Sequence, residues 1–92
     1  MDASFLFGQD VFIDNSRVGY VGKNHADNAP IYFGGSKLGS LSKDGSIEIK
    51  GTIIGFIDDD LSIFIKGKKV GEVKNKDIHF DMKSLTRSLS ED

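Results

Sequence analysis

The chain has 92 residues, of which 38% are hydrophobic and 28% charged, with a formal net charge of −2 and no cysteine. This composition is typical of one small folded domain, and the absence of a continuous basic stripe argues against binding to nucleic acid. Without cysteine there are no disulfides and no thiolate metal site, so the domain depends on packing and is expected in the reducing cytoplasm.

The first segment, Met1 to Ser4, carries an acid where a secretory signal would carry basic residues. The longest apolar runs are residues 52–57 and 61–65. Both are far shorter than the roughly 20 residues that a membrane helix needs. The sequence therefore predicts no membrane span and no secretory export.

Four segments of the chain share one pattern and align without gaps. They cover residues 11–21, 31–41, 47–57 and 63–73. Each reads β-former, x, β-former, x, Gly or Asn, x, x, aliphatic, Gly, x, aliphatic. Alternation of apolar residues on both sides of a Gly or Asn predicts a β-hairpin with a tight turn. The sequence thus predicts an all-β fold of four repeated β-hairpins with a period of about 16 residues.

Polar linkers over residues 22–30, 42–46 and 58–62 join the four units. Short strand-like segments flank the array at residues 4–8 and 77–81. We expect these N- and C-terminal strands to pair and close the sheet, because closure removes the edges at which sheets aggregate. The single domain is predicted to span residues 1–81, and the Ser-rich residues 82–92 to form a polar C-terminal tail.

The second strand of each unit places a glycine and an aliphatic residue on one face, since they are two residues apart. These eight inward positions are Gly19, Gly39, Gly55, Gly71, Val21, Leu41, Ile57 and Val73. The missing Cβ atoms either let the strands approach closely or leave a small lumen beside the aliphatic side chains. If there is a lumen, the eight residues are the candidate ligand-binding set.

The opposite face of the strands carries several aromatic residues. They are Phe12, Tyr32 and Phe64 on the first strands, with Tyr20 and Phe56 on the second strands. This is more aromatic surface than a small monomer usually exposes. Either the terminal segments cover it, or it forms a patch for self-association or a protein partner.

No group of residues indicates catalysis or metal binding. His25 and His79 lie far apart in the chain, and the Asp58–Asp60 run lacks the ligand spacing of a calcium loop. The Gly34–Lys37 segment precedes a predicted strand, whereas a phosphate-binding loop precedes a helix. We therefore expect no enzyme activity, no catalytic residue and no cofactor.

The repeat, as in the segment from Ile63 to Val73, resembles the four-fold beta-flower family of small bacterial domains. The match runs from about Val11 to Phe80. The resemblance implies hairpins arranged around a pseudo-four-fold axis, without catalytic machinery. It further implies an apolar axial channel that holds an elongated ligand such as a lipid chain. The alternative is a structural or protein-interaction module with a filled core that self-associates through its outer aromatics.

Overall fold

Tight two-residue turns shape most of the chain. The computed structural model describes residues 2–90, and in it both central residues of five turns have positive φ, the type I′ geometry of a β-hairpin. The turns lie at residues 14–15, 34–35, 50–51, 66–67 and 75–76. Four of them fall at the predicted Gly or Asn positions. The fifth, Asn75–Lys76, lies between the fourth unit and the flanking strand-like segment at residues 77–81, so the repeat pattern does not predict it.

Nine strands follow from these turns and the polar linkers. They are β1 (Asp10–Ile13), β2 (Ser16–Val21), β3 (Asn28–Phe33), β4 (Ser36–Ser42), β5 (Ser46–Ile49), β6 (Thr52–Ile57), β7 (Ser62–Ile65), β8 (Lys68–Lys74) and β9 (Asp77–Phe80). Each strand pairs antiparallel with the next, and β9 pairs in parallel with β1 to close the barrel. The predicted all-β class and the closed sheet are confirmed.

The way the barrel closes differs from the prediction. Residues Ser4–Leu6 form a short 3-10 helix instead of a strand, so the partner of β9 is β1. The carboxylate of Asp2 accepts a hydrogen bond from the Ser4 amide at 2.8 Å, which favours a helical turn at this point. Because β1 already pairs with β9, the sheet leaves no edge for a further N-terminal strand.

A β-bulge recurs in all four predicted hairpins. In the first, Val11 pairs with Gly19 while Phe12 pairs with Arg17, so Val18 is the extra residue. The other three hairpins shift register at the equivalent step of the first strand. A bulge adds one residue to one strand and increases its twist, which bends the sheet toward closure.

The C-terminal segment packs on the barrel. Residues 82–90 of the expected polar tail form the helix α1 (Met82–Ser90), and Leu85 and Ser88 are buried. Asp81 caps it by accepting hydrogen bonds from the hydroxyl and the amide of Ser84, which lower the pKa of that carboxyl. Residue 1 of the predicted domain and residues 91–92 of the predicted tail lie outside the described residues.

One hydrophobic core fills the barrel between its two ends. Fully buried residues from five strands include Val11, Val21, Ala29, Leu41 and Ile63. Ala3 and Leu6 of the N-terminal segment join this core at the end of the barrel that carries the polar linkers, which we call the linker end. There the Gly8 amide donates to the Val21 carbonyl at 2.9 Å. At the opposite end, which carries the turns of the four repeated hairpins and which we call the hairpin-turn end, the Ser88 hydroxyl donates to the Ile65 carbonyl. Helical segments thus cover both ends of the interior.

The turn geometry allows a direct test at Gly51. Its φ is +81°, and a Cβ at this position would meet no atom within 4 Å. Gly51→Val should therefore destabilise the fold by about 1–2 kcal/mol through backbone strain alone. Asn15→Gly, at a φ of +71°, should be nearly neutral. Urea denaturation of both variants checks this, and a silent Gly51→Val would contradict the assignment of the turn.

Candidate binding surfaces

The eight predicted inward residues all lie within the strands β2, β4, β6 and β8, and the four glycines among them are tightly packed. A Cβ on Gly19, Gly39, Gly55 or Gly71 would overlap a backbone carbonyl oxygen of the next strand. The overlapped oxygen belongs to Tyr32, Glu48, Phe64 and His79 respectively. Each glycine thus permits close approach of two strands, which favours the close-packing alternative over spare space.

The four predicted aliphatic residues are buried in the same hydrophobic core. Val21, Leu41, Ile57 and Val73 are between 0% and 8% exposed. They belong to one cluster with the first-strand residues Val11, Ile31, Ile47 and Ile63 and with Leu6 and Leu85 at the two ends. The inward orientation that the alternation predicts is confirmed by this burial.

The predicted outer residues lie on the outside in cross-strand pairs. Tyr20 lies against Tyr32 with ring centroids 4.9 Å apart, and Phe56 stacks on Phe64 at 5.1 Å with an interplanar angle of 16°. We call each of these two strand boundaries, β2–β3 and β6–β7, a seam. The equivalent pairs at the other two seams, β4–β5 and β8–β9, are polar. They are Ser40 with Glu48 and Glu72 with His79. Aromatic and polar seams therefore alternate around the barrel.

The Phe56–Phe64 seam forms the most apolar part of the outer surface that the sequence pattern points to. Ile53 occupies the preceding outward position of β6 and is 66% exposed, while Phe56 is 47% exposed. We call Ile53, Phe56 and Phe64 the β6–β7 face. Sequence reasoning missed Ile53. The other three units have a basic residue at the equivalent position, namely Arg17, Lys37 and Lys69. An isoleucine at a position that is otherwise basic could have indicated this exposed apolar site.

An open groove of about 390 Å³ lies beside the β8–β9 seam. Its lining includes Lys69, Glu72, Lys74 and His79. The Glu72 carboxylate lies 3.4 Å from the Lys74 ammonium and 3.9 Å from that of Lys69, so these charges already pair with one another. The His79 ring stacks on Phe12 at 4.7 Å. The charged groups of Lys69, Glu72 and Lys74 in this groove thus engage one another, and the His79 ring engages an aromatic neighbour.

The remaining candidates for chemistry stay apart in space. Asp58 accepts hydrogen bonds from the amides of Asp60 and Ser62 at 3.0 Å, so the acidic run forms a hydrogen-bonded turn. Across residues 2–90, no three His, Cys, Asp or Glu side chains are grouped to hold a metal ion. Neither helix in the same stretch has the length and apolarity to cross a membrane.

Comparison with known proteins adds no relative. The chain matches no family model, no curated protein and no solved structure.

Proposed function

We propose that the protein is a non-catalytic protein-interaction module whose partner binds the β6–β7 face. The observation that carries this proposal is the exposure of Ile53 and Phe56 on one strand of a closed barrel, with Phe56 stacked on Phe64 of the next strand. Clustered exposed apolar side chains mark interaction sites, and aromatic residues are enriched in the centres of interfaces.

The packing of the interior supports this function over a lipid-binding one. An axial ligand would need space among side chains that now pack against each other in one core. It would also need an entrance, and the segments that carry Leu6 and Leu85 cover the two ends. The lipid-binding hypothesis stays a prediction, as do the beta-flower resemblance and the cytoplasmic location.

The pseudo-four-fold arrangement of the hairpins forms part of the proposal. The same bulge in all four hairpins supports it. With that arrangement, the aromatic seams of Tyr20 and Phe56 lie on opposite sides of the barrel. The β6–β7 face differs from the opposite one because Ile53 replaces a basic residue, so it is the more apolar of the two.

A pair of substitutions in one strand tests whether the face serves binding or folding. Ile53→Thr removes an exposed apolar side chain but keeps its β-branch, so the free energy of unfolding should change by less than about 0.5 kcal/mol. Ile57→Thr, at a site 3% exposed, should cost at least roughly 2 kcal/mol. Equal losses in urea melts would assign Ile53 to the fold and contradict the proposal.

Native mass spectrometry with fatty acids of increasing length separates this function from lipid binding. The expected spectrum shows only the ligand-free mass, for the natural chain and for Ile53→Thr alike. A fatty acid retained by both proteins would lie inside the barrel and would overturn the interaction module in favour of lipid binding.

A further inference from the structure

The β6–β7 face has opposite charges at its two ends. β6 begins after the turn that contains Lys50, and β7 ends before the turn that contains Lys66. Because β6 and β7 are antiparallel, both lysines lie at the same end of the face. The loop that joins the two strands carries Asp58, Asp59 and Asp60 at the other end. The apolar centre is thus flanked by a basic end and an acidic end.

These two ends are too far apart to neutralise each other within one chain. The six residues of β6, Thr52–Ile57, extend over about 20 Å at roughly 3.3 Å per residue. Electrostatic interactions between exposed charges are screened beyond about 8 Å at physiological ionic strength. A partner that lies along the face can instead bring opposite charges close to both ends.

A second copy of the chain meets this requirement when it binds in the antiparallel direction. A two-fold axis that passes midway between Ile53 and Phe56 of β6 would place the acidic loop of each copy against the Lys50 turn of the other, because Lys50 and Asp59 are equally far from that point along the strand. Such an isologous contact uses the same surface on both copies and leaves no open binding site. A parallel arrangement would place like charges together, which is unfavourable.

The small size of the apolar centre indicates that a stable interface must also include the charged ends of the face. A standard interface covers roughly 800 Å² on each partner, about one-seventh of the accessible surface of 5405 Å². The exposed parts of one isoleucine and two phenylalanines supply on the order of 300 Å². The interface must therefore extend over the charged ends, so these ends contribute to which partner binds and in which direction.

From these observations we infer that the protein forms an antiparallel homodimer through the β6–β7 face, with Asp59 of each copy opposite Lys50 of the other. This inference rests on the proposed function and names its partner as a second copy. It requires an intact apolar centre and opposite charges at the two ends.

Charge reversal provides the test. Asp59→Lys and Lys50→Glu should each raise the dimer dissociation constant at least 10-fold, because each places two pairs of like charges in the dimer. An equimolar mixture of the two variants should dimerise within about 3-fold of the natural chain, since both contacts of the mixed dimer join opposite charges. Sedimentation equilibrium at 0.15 M salt measures the natural chain, the two single variants and their mixture. Lys23→Glu, an exposed charge reversal in the first linker, is the matched control.

Each other outcome overturns the inference. A natural chain that stays monomeric up to about 1 mM excludes the homodimer, while the proposed interaction function is judged separately by the Ile53→Thr and fatty-acid measurements. Dimerisation that survives both single reversals, or a mixture that stays monomeric, excludes the antiparallel arrangement.

Discussion

Gly55→Ala should destabilise the protein by roughly 3 kcal/mol or more, although it adds a single methyl group. The new Cβ would overlap the Phe64 carbonyl oxygen and would lie near the Cα of Ile65. Both are backbone atoms of a paired strand, so they cannot rotate away as the end of a side chain would. Relief requires β6 and β7 to separate, which costs ladder hydrogen bonds in addition to the usual cost of overpacking.

Gly67→Ala is the matched control for this effect. Gly67 has a φ of +80° and open space around the position of a Cβ. The same methyl group should therefore cost only about 1 kcal/mol there, from backbone strain. Chemical denaturation of the two variants compares crowding with strain directly. Equal losses would mean that the strands can separate at Gly55, and spare room for a lumen would then become the better interpretation of the glycine column.

The repeat predicts the hairpins well because their turns are local. Asn15, Gly35, Gly51 and Gly67 all adopt the positive φ that their residue types favour. Period-2 alternation likewise places Val21 inside and Tyr20 outside, as burial confirms. These features depend on neighbours within a few residues, so the sequence pattern is sufficient.

The features that were not predicted depend on the closed barrel. Val18 and Val21 are three residues apart, yet both contact the core, and only a bulge allows this. The spacing was visible, but its meaning requires the partner strand. The spacing of Met82, Leu85 and Leu89 is likewise helical. A helix this short is stable only when it packs, and here it packs by burying Leu85 at the end of the barrel. The local sequence pattern does not show that barrel end.

The sequence predicted two of the three residues of the β6–β7 face. Alternation identifies Phe56 and Phe64 as outward residues, and their stacking follows from their positions on paired strands. That Lys50 and Lys66 lie at the same end of the face follows only from the antiparallel pairing of β6 and β7. The linear sequence shows these charges as separate runs.

The two end segments provide the second large effect. Leu6 is fully buried at the linker end and Leu85 is 5% exposed at the hairpin-turn end. Leu6→Ala and Leu85→Ala should each lower the free energy of unfolding by about 2–4 kcal/mol, because each leaves a cavity that the strands cannot collapse to fill. Leu89→Ala, in the same helix but 40% exposed, should cost less than about 1 kcal/mol. Thermal and urea melts measure the three variants. If Leu85→Ala costs no more than Leu89→Ala, α1 does not close the core, and the interior would be open to ligands from that end.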